Sequence, residues 1–532
     1  MKSRLLLSLV LGLVFAFVGA ANRPTARAGQ QASAYYVDRN HPAASDSNPG
    51  SEALPWLTIQ HAAENVAPGD TVYIKSGAYD ERVIVDQDGA AGQKIAFQAV
   101  PRRSVLVTHG FNVSADFIRI EGFEITHDAG GWLNGGIWMG GNGVELVDNY
   151  IHDVPGAGIT VSWAGEGEWE HVYIAGNYIY GCNKGISGTS GRNWLVENNE
   201  IERLIRPAGG GEDADYMRFF GSGHVIRGNY FHGTRPEDTG TSHVDCFQTY
   251  DNNASEAHDI LFEHNLCLGF VHQVFMMEGS GSSHTNITIR YNVFQGFTAW
   301  GVCADNIQNL QVYNNTWVGL GTEEPNVTIH GVGFRNGTSG AVKNNIFTQI
   351  TAPYWRDTAS SYTNGYNLTF ACRDEPSPSA LSDLLDTDPL FENPADILGP
   401  DGLAWTNDDG LRLQAGSPAI DGGQGGTFIG AYPFVPALRL VGAPGDGEVY
   451  LAWQVRDSLP ATTTWTIRYD GPAGDEPSPV TGIAEATRAY TLTGLTNGEW
   501  YTLTLQTDPA QLAATISVMP VDRFVYLPLA RR

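Results

Sequence analysis

Several features are scarce in this 532-residue sequence, and each scarcity argues against a class of protein. Cysteine occurs five times, an odd number without CxxC spacing, so neither a disulfide framework nor a zinc site is indicated. Lysine and arginine number 31 against 58 acids, a net charge of −27, which opposes a broad basic surface for nucleic acid. Phosphate-binding loops and the GxSxG motif are missing, so nucleotide and esterase chemistry have no support.

The longest apolar stretch of the sequence lies near the amino terminus. Lys2 and Arg4 precede an apolar run from Leu5 to Val18, followed by small residues. This pattern predicts a secretory signal peptide over residues 1–28, and no other run approaches membrane-spanning length. We therefore expect a secreted or cell-surface protein without a membrane span in the mature chain. Residues 1–28 carry four basic residues and no acid, so the mature net charge becomes −31.

A repeat runs from about residue 117 to residue 350. Alternating apolar residues lead to an asparagine and then to further alternating apolar residues, with the asparagines at 149, 177, 199, 229, 265, 292, 315 and 345. Alternation predicts strands with one buried face, and a period near 25 residues predicts one coil per repeat. Asparagine suits a fixed bend because it tolerates the left-handed region and can bond to the asparagine of the next coil. We predict an all-β fold, a right-handed parallel β-helix of roughly ten coils.

The segments that flank the repeat carry a family resemblance. Residues 35–83 resemble the amino-terminal cap of pectin-lyase-like β-helix proteins, with Ile59, Ala62, Ala63 and Val66 on one helical face. Residues 387–423 are similar to the closing stretch of many secreted β-helix proteins. The resemblance spans about residues 35–432, and it implies the fold and not one reaction.

A second module is expected after the β-helix. Residues 434–520 alternate like a small sandwich and resemble a fibronectin type III domain, with Tyr501 at the tyrosine-corner position. Its expected role is spacing or weak carbohydrate contact. Residues 521–532 form a short tail of undecided role.

The candidate site lies on a second strand of each middle coil. We align the segments 216–221, 245–250, 273–278, 301–306 and 331–336, and we predict that first, third and fifth positions point outward. The outward set in the middle coils comprises Tyr216, Arg218, Asp245, Phe247, Gln273, Phe275, Asp305 and Arg335. His243 falls on the same face and Glu278 ends its strand. Acids, arginine and exposed aromatics in one strip predict a carbohydrate groove.

Two catalytic chemistries and one binding role remain open. The resemblance implies, for a polysaccharide lyase, a basic group from Arg218 or Lys184 and Ca²⁺ held by Glu212, Asp213 and Asp215. A glycoside hydrolase would need two carboxyls, with Asp245 beside Asp213, Asp215 or Glu278. A glycan-binding or adhesion protein would use the same strip without catalysis.

The residues that we favour for catalysis are Arg218, His243, Asp245, Glu278 and Lys184, and Tyr216, Phe247, Gln273, Phe275, Asp305 and Arg335 would bind substrate. Ca²⁺ is the one cofactor that these residues suggest. The expected partner is an extracellular polysaccharide, and we expect a monomer. Cys246 and Cys267 are predicted to point inward as two buried thiols, with a bridge between them as the alternative.

Overall fold

The computed structural model describes residues 32–128, 135–161, 169–188, 191–206, 213–251, 256–279, 284–319, 328–456, 459–470 and 479–521. The predicted signal peptide, Glu212 and residues 522–532 of the tail lie outside this set. Within the described residues, no helix has the length and apolarity needed to cross a membrane. The two helices are α1 (Ile59–Asn65) and α2 (Pro236–Thr239).

In the described part of the chain, thirty-five strands form one continuous hydrogen-bonded system in which neighbouring strands pair in parallel. The first eleven are β1 (Ala34–Val37), β2 (Thr71–Tyr79), β3 (Val83–Val85), β4 (Ile95–Val107), β5 (Phe111–Val113), β6 (Ile118–Glu121), β7 (Glu124–Ile125), β8 (Ile137–Met139), β9 (Glu145–Val147), β10 (Tyr150–His152) and β11 (Ala157–Val161).

The middle strands are β12 (Trp169–Glu170), β13 (Tyr173–Ala175), β14 (Tyr178–Tyr180), β15 (Lys184–Ser187), β16 (Gly191–Arg192), β17 (Leu195–Glu197), β18 (Glu200–Glu202), β19 (Met217–Arg218), β20 (Gly221–Ser222), β21 (Val225–Arg227), β22 (Tyr230–His232), β23 (Asp245–Tyr250), β24 (Ala257–Glu263) and β25 (Leu266–Glu278). The last are β26 (Thr285–Arg290), β27 (Val293–Asp305), β28 (Leu310–Tyr313), β29 (Thr316–Val318), β30 (His330–Arg335), β31 (Ser339–Lys343), β32 (Ile346–Thr348), β33 (Ala352–Arg356), β34 (Ser361–Gly365) and β35 (Leu368–Phe370).

Each coil contributes one segment to each of three parallel sheets, which we call A, B and C. In one coil, β21 lies in sheet A, β22 in sheet B and β23 in sheet C, and each pairs with the same segment of the next coil. Among the described residues sheet C has eleven segments, in β3, β5, β8, β11, β15, β19, β23, the second halves of β25 and β27, β30 and β33. The predicted parallel β-helix of roughly ten coils is therefore confirmed.

The repeated asparagines form a ladder between sheets A and B. Each side-chain amide from Asn149 to Asn345 donates to the amide oxygen of the next coil's asparagine at 2.9 to 3.1 Å. The ladder continues to Asn367, which the sequence reading missed, and its last contact is with Asp383. The predicted bond between coils is confirmed.

The left-handed conformation belongs to the residue before each ladder asparagine, not to the ladder asparagine itself. Asp148, Asn198 and His264 have φ near 55° (54°, 55° and 54°), whereas the ladder positions are absent from the left-handed set. The residue before each ladder asparagine therefore supplies the left-handed backbone of the bend. The asparagine side chain then points inward and can donate a hydrogen bond to the asparagine of the next coil.

The inside of the coil is apolar, and helix α1 packs against its amino-terminal end. The rings of Phe231, Phe247, Phe262 and Phe275 contact one another at its centre. Helix α1 buries Ile59, Ala62 and Ala63 as predicted, and Glu81 accepts two backbone N–H groups at its start. Residues 391–432 cover the outer face of sheet B in the last coils, where that face is apolar.

Seven antiparallel strands follow the coils. They are β36 (Leu438–Gly445), β37 (Glu448–Val455), β38 (Thr464–Asp470), β39 (Val480–Ala484), β40 (Ala489–Thr493), β41 (Tyr501–Asp508) and β42 (Ala513–Val518). They form a three-stranded and a four-stranded sheet around Trp453 and Trp465. The backbone N–H of Thr496 donates to the Tyr501 hydroxyl at 2.9 Å, the kind of contact that a tyrosine corner makes. The fibronectin type III assignment and the division at residue 434 stay predictions.

Candidate active site

The outer face of sheet C carries the charged residues, in a register that differs from the predicted one. Arg218 pairs with Gln248, and Met217 with Phe247. In the next coils Tyr250 pairs with Glu278, Glu278 with Asp305 and Asp305 with Arg335. Because alternate residues face opposite sides, Gln248 and Tyr250 share the outer face with Arg218.

The predicted outward positions of Phe247 and Phe275 are wrong. Both side chains are 0% exposed and stack on each other in the core with ring centres 4.7 Å apart. The alignment placed Phe247 beside Arg218, one residue out of register, and a slip of one residue exchanges the two faces of a strand. Tyr216 is also buried, and its hydroxyl donates to the carbonyl oxygen of His232 at 2.7 Å.

Arg218 is the centre of a buried ionic group on this face. Its Nε donates to Asp215 Oδ2 at 2.5 Å, and its Nη2 lies 3.6 Å from Asp213 Oδ2. Its side chain is 10% exposed, so the charge is held in one place. Asp215 raises the pKa of Arg218 against the opposing effect of burial, so the guanidinium stays protonated. We call Asp213, Asp215, Arg218 and Asp245 the buried acid cluster.

Asp245 differs from its neighbours because no described cation contacts it directly. It is 0% exposed, and its Oδ1 accepts the backbone N–H of Gln273 at 3.1 Å. Burial, followed by the charges of Asp215 and Asp213, raises its pKa well above the ordinary value. Burial also raises the pKa of Asp215, but Arg218 opposes that shift. Burial without a direct cation partner therefore favours the protonated form of Asp245.

Several buried oxygens near the cluster have no hydrogen-bond partner among the described residues: Asp215 Oδ1, Asp245 Oδ2, Gln248 Oε1 and Gln273 Oε1. A buried oxygen without a partner is costly and uncommon in a stable structure. Lys184 lies on the preceding coil, where Gly185 N–H donates to the Asp215 carbonyl, and its charge lowers the pKa of Asp215.

A groove opens beside the cluster on the outer face of sheet C. Its volume is about 630 Å³, and its lining comprises Tyr250, Asp251, Glu278, Gly279, Asp305, Asn306 and Asn336. The Arg218 guanidinium lies 5.6 Å from the centre of the Tyr250 ring, so the cluster borders the groove. Burial, then Asp305, raises the pKa of Glu278. Arg335 contacts Asp305 at 3.2 Å, and both face outward as predicted.

Histidine and tryptophan rings lie on the same sheet. His243 is exposed and stacks on His272 with ring centres 5.0 Å apart. Trp300 stacks on His330 at 3.9 Å, and Trp355 donates from Nε1 to His330 Nδ1 at 3.0 Å. The tryptophans belong to coils beyond Arg218 and offer partly exposed ring faces of the kind that pack on sugars.

The sequence reading missed Gln248, Tyr250, Asp251, Trp300 and Trp355. Tyr250 and Gln248 stood in an aligned segment, but the slipped register placed Gln248 inward. The sequence around Phe247 contains the signal for the correct register. Phe247 and Met217 are both large apolar residues, and aligning them places Gln248 beside Arg218.

Among the described residues, the predicted Ca²⁺ ligands Asp213 and Asp215 are not part of a close group of three metal-ligating side chains. Asp213 and Asp215 both turn to Arg218, and Glu212 lies outside the described set. The groups of three metal-ligating side chains in the described residues are elsewhere: His109, His127 and Asp128, and Glu200, Glu202 and His232. Ca²⁺ binding at residues 212–215 stays a prediction.

Cys246 and Cys267 form a disulfide, so the prediction of two buried thiols is wrong. Their Cα atoms lie 6.5 Å apart, within the range that a bridge spans. Both are buried and inward, as predicted. The bridge fastens sheet C of one coil to sheet B at the next.

The chain is similar to known proteins at low sequence identity. No protein-family model matches the chain. An uncharacterised protein, YwoF, from Bacillus subtilis (strain 168) is 26% identical over 208 residues, which is 35% of this chain and 41% of that protein. The chain thus spans about two fifths of the length of this curated relative.

Solved structures are similar in architecture at low identity. A pectate lyase, Pel9A, has a TM-score of 0.48 and 17% identity and covers 76% of this chain and 98% of its own. A complex of XylC with xylose has a TM-score of 0.45 and 11% identity, covering 88% and 100%. A rhamnogalacturonan lyase has a TM-score of 0.42 and 15% identity, covering 72% and 97%.

Proposed function

We propose that this chain is a polysaccharide lyase that cleaves a uronate-containing polysaccharide by β-elimination in the groove of sheet C. The observation that supports it is Arg218, a guanidinium fixed at the groove by a 2.5 Å contact with Asp215. A fixed cation of this kind can neutralise a uronate carboxylate without reorganising during the reaction.

The elimination requires three roles. A base removes the proton beside the carboxylate, the bond from the next carbon to the glycosidic oxygen breaks, and a double bond forms between the two carbons. The departing oxygen then takes a proton. Arg218 neutralises the carboxylate, and because its pKa is raised it is not the base, which revises the sequence-based expectation.

The remaining two roles go to an exposed histidine near the cluster and to a carboxyl that lines the groove. We assign the base to His243, which is exposed just before β23 and whose charge acts on Glu278. We assign the proton donor to Glu278, because its raised pKa keeps a larger protonated fraction near neutral pH. Asp245 is fully buried, and we assign it a positioning role through the cluster around Arg218.

A second candidate is a glycoside hydrolase that uses Glu278 and Asp305. The two residues are direct partners on adjacent strands, which lie about 4.8 Å apart. Retaining glycosidases hold their carboxyls about 5–5.5 Å apart, and one of the two has a raised pKa. In this chain Asp305 contributes to the raised pKa of Glu278.

One assay separates the candidates. Purified protein is incubated with a panel of uronate and neutral polysaccharides, with and without Ca²⁺, and ultraviolet absorbance of unsaturated uronate and reducing ends are followed together. A lyase raises both signals, and a hydrolase raises reducing ends alone. Binding without either signal would mean a glycan-binding protein and would overturn both enzyme proposals.

Variants then test the assigned roles. Arg218→Met should lower turnover at least about a hundredfold, because the carboxylate charge is no longer neutralised. Glu278→Gln should lower turnover less for a lyase than for a hydrolase, in which the acid is essential. Arg227→Met, at a surface arginine of sheet A, is the matched control and should keep wild-type turnover. Full activity in Arg218→Met would remove the basis of the lyase proposal.

The cellular setting is also proposed. The amino-terminal pattern of residues 1–28 favours export, and a polysaccharide is the partner that the groove suits. We propose a monomer that acts outside the cell. Size determination in solution and fractionation of the producing cells test these two points.

A further inference from the structure

A second group of polar residues lies far from the groove, where the chain turns after sheet B in three successive coils. Asp80 follows β2, His109 follows β4, and His127 and Asp128 follow β7. The next strand of sheet C after His127 is β8, and Arg218 lies on β19, three coils further along. That is a distance of about 15 Å along the stack. Nothing in the proposed reaction uses this group.

Three of these residues bring ligand atoms together. One ligand atom each from His109, His127 and Asp128 lies within 4.8 Å of the others. Asp128 Oδ1 is 3.4 Å from His109 Nδ1 and 3.7 Å from His127 Nδ1. In a tetrahedral Zn²⁺ site, with Zn–N near 2.0 Å, neighbouring ligand atoms lie about 3.3 Å apart. The observed separations are close to the edges of such a tetrahedron and too long for good hydrogen bonds.

The other nitrogen of His109 has the partner that a metal-binding histidine usually has. Its Nε2 lies 3.0 Å from Asp80 Oδ1, which also accepts the Thr108 hydroxyl at 2.9 Å. A ligating histidine typically donates its second N–H to a carboxylate, which fixes the ring and its tautomer. With that proton on Nε2, the Nδ1 lone pair of His109 faces Asp128.

Burial and charge suit a cation that is partly open to water. The His127 ring is nearly buried, whereas the Asp128 side chain is 81% exposed. The two carboxylates Asp80 and Asp128 offset two nearby arginines, because Arg39 acts on Asp80 and Arg82 acts on His127. The Arg82 guanidinium is bonded to the carbonyl oxygens of His109 at 2.8 Å and Gly135 at 3.2 Å. One divalent ion is therefore not opposed by an excess of positive charge.

The second metal-type group in the described residues does not share these features. His232 Nε2 lies 2.9 Å from Glu200 Oε1, and Tyr178 donates to Glu202 Oε2 at 2.6 Å. Its single histidine and its acids already make short hydrogen bonds. This group resembles a set of surface ion pairs, and a variant of its histidine serves as the control for metal binding.

We propose that His109, His127 and Asp128 bind one transition-metal ion of the Zn²⁺ class, with Asp80 orienting His109 and water completing the coordination. The two nitrogens and one carboxylate favour Zn²⁺ over Ca²⁺ or Mg²⁺, which prefer sets of oxygen ligands. The ion would tie together three coils next to the amino-terminal cap.

Metal binding is measured on the untagged full chain after treatment with a chelator. Zn²⁺ titration by calorimetry should give one equivalent per chain, and Co²⁺ should give the visible absorption of a four-coordinate site with nitrogen and oxygen ligands. Zn²⁺ should also raise the unfolding temperature, because it binds the folded chain alone. Ca²⁺ should do neither at this site.

Variants locate the ion. Asp128→Asn changes an exposed side chain and should fold normally, and it should weaken Zn²⁺ binding at least about tenfold. His127→Gln should abolish the Co²⁺ spectrum, and Asp80→Asn should weaken binding about 10–100-fold. His232→Gln is the control and should bind Zn²⁺ like the wild type.

Two outcomes would overturn the proposal. The first is the absence of stoichiometric Zn²⁺ binding to a folded wild-type chain, which would mean that His109 contacts Asp80 and Asp128 without binding a metal. The second is binding that is unaltered by Asp128→Asn and His127→Gln, or lost in His232→Gln. Neither outcome bears on the lyase proposal, whose assay uses other residues.

Discussion

The asparagine ladder and the buried acid cluster are two buried polar regions of the same coils, and they differ in how their hydrogen bonds are satisfied. In the ladder, Asn199 donates to Asn229 and to the carbonyl of Ile174, and its oxygen accepts from Asn177. In the cluster, Asp215 and Asp245 each keep an oxygen with no partner among the described residues.

This difference distinguishes a structural region from the proposed active site. A fully satisfied polar network rigidifies a fold and specifies its register. Buried charges with unmet hydrogen bonds cost stability, and they concentrate where chemistry is done. The ladder therefore sets the stacking of the coils, and the cluster marks the place where stability is given up to hold Arg218.

The largest expected effect comes from removing the cation of the cluster. Arg218→Met should destabilise the fold by about 3–5 kcal/mol, because it leaves Asp215 buried without its partner. The measurement is the denaturant midpoint of unfolding. Arg218→Lys, which keeps a charge, should lose less. Equal stability of wild type and Arg218→Met would show that the cluster is solvated, and the contrast with the ladder would fail.

Breaking the ladder should cost nearly as much. Asn199→Ala removes a donor to Asn229 and an acceptor of Asn177, and it leaves buried partners unmet. We expect a loss of about 2–4 kcal/mol, measured in the same way, without a change in substrate cleavage. Gln311→Ala, at an amide on the surface of sheet A, is the control and should change stability by less than about 0.5 kcal/mol.

The asparagine ladder is easier to predict from sequence than the buried acid cluster. The ladder repeats, so the spacing of Asn149 to Asn345 predicts both the coil and the bond between coils. The conformation one residue earlier was not predicted, because Asp148, Gly176 and His264 share no side-chain signal. Asn367 carries the same motif as its predecessors and was missed only because the repeat was ended too soon.

The cluster is harder to predict because it has no repeat. Its register depends on whether Phe247 or Gln248 lies beside Arg218, and a slip of one residue reverses every assignment. The 2.5 Å contact of Arg218 with Asp215 and the bridge between Cys246 and Cys267 depend on three-dimensional distances that spacing alone does not give.

A smaller effect should appear as pH dependence. A carboxyl with a higher pKa in the folded than in the unfolded chain binds more protons when folded. It thus stabilises the fold most below its unfolded pKa, and this contribution is lost as the pH rises toward the folded pKa. The raised pKa of Asp245 predicts falling stability as the pH rises above about 4.

Asp245→Asn should remove this contribution and flatten the curve of stability against pH, by up to about 1.4 kcal/mol per pH unit. The measurement is the unfolding midpoint from pH 4 upward at constant ionic strength. Asp86→Asn, at an exposed aspartate, should leave the slope unchanged. A wild-type slope that persists in Asp245→Asn would assign the proton to another group.

The smallest loss of stability is expected for an exposed arginine, which serves as the reference for Arg218→Met. Arg227 and Glu197 are partners on adjacent strands of sheet A, with Nη2 2.7 Å from Oε2, but the arginine side chain is 46% exposed. Water solvates the arginine, and Glu197 keeps the Tyr173 hydroxyl as a hydrogen-bond donor at 2.8 Å, so Arg227→Met should change stability by less than about 0.5 kcal/mol. The same substitution at Arg218 should cost several times more, although the contact distances are similar. If unfolding showed equal losses, burial would not distinguish the two arginines, and the placement of Arg218 could not be attributed to its buried acids.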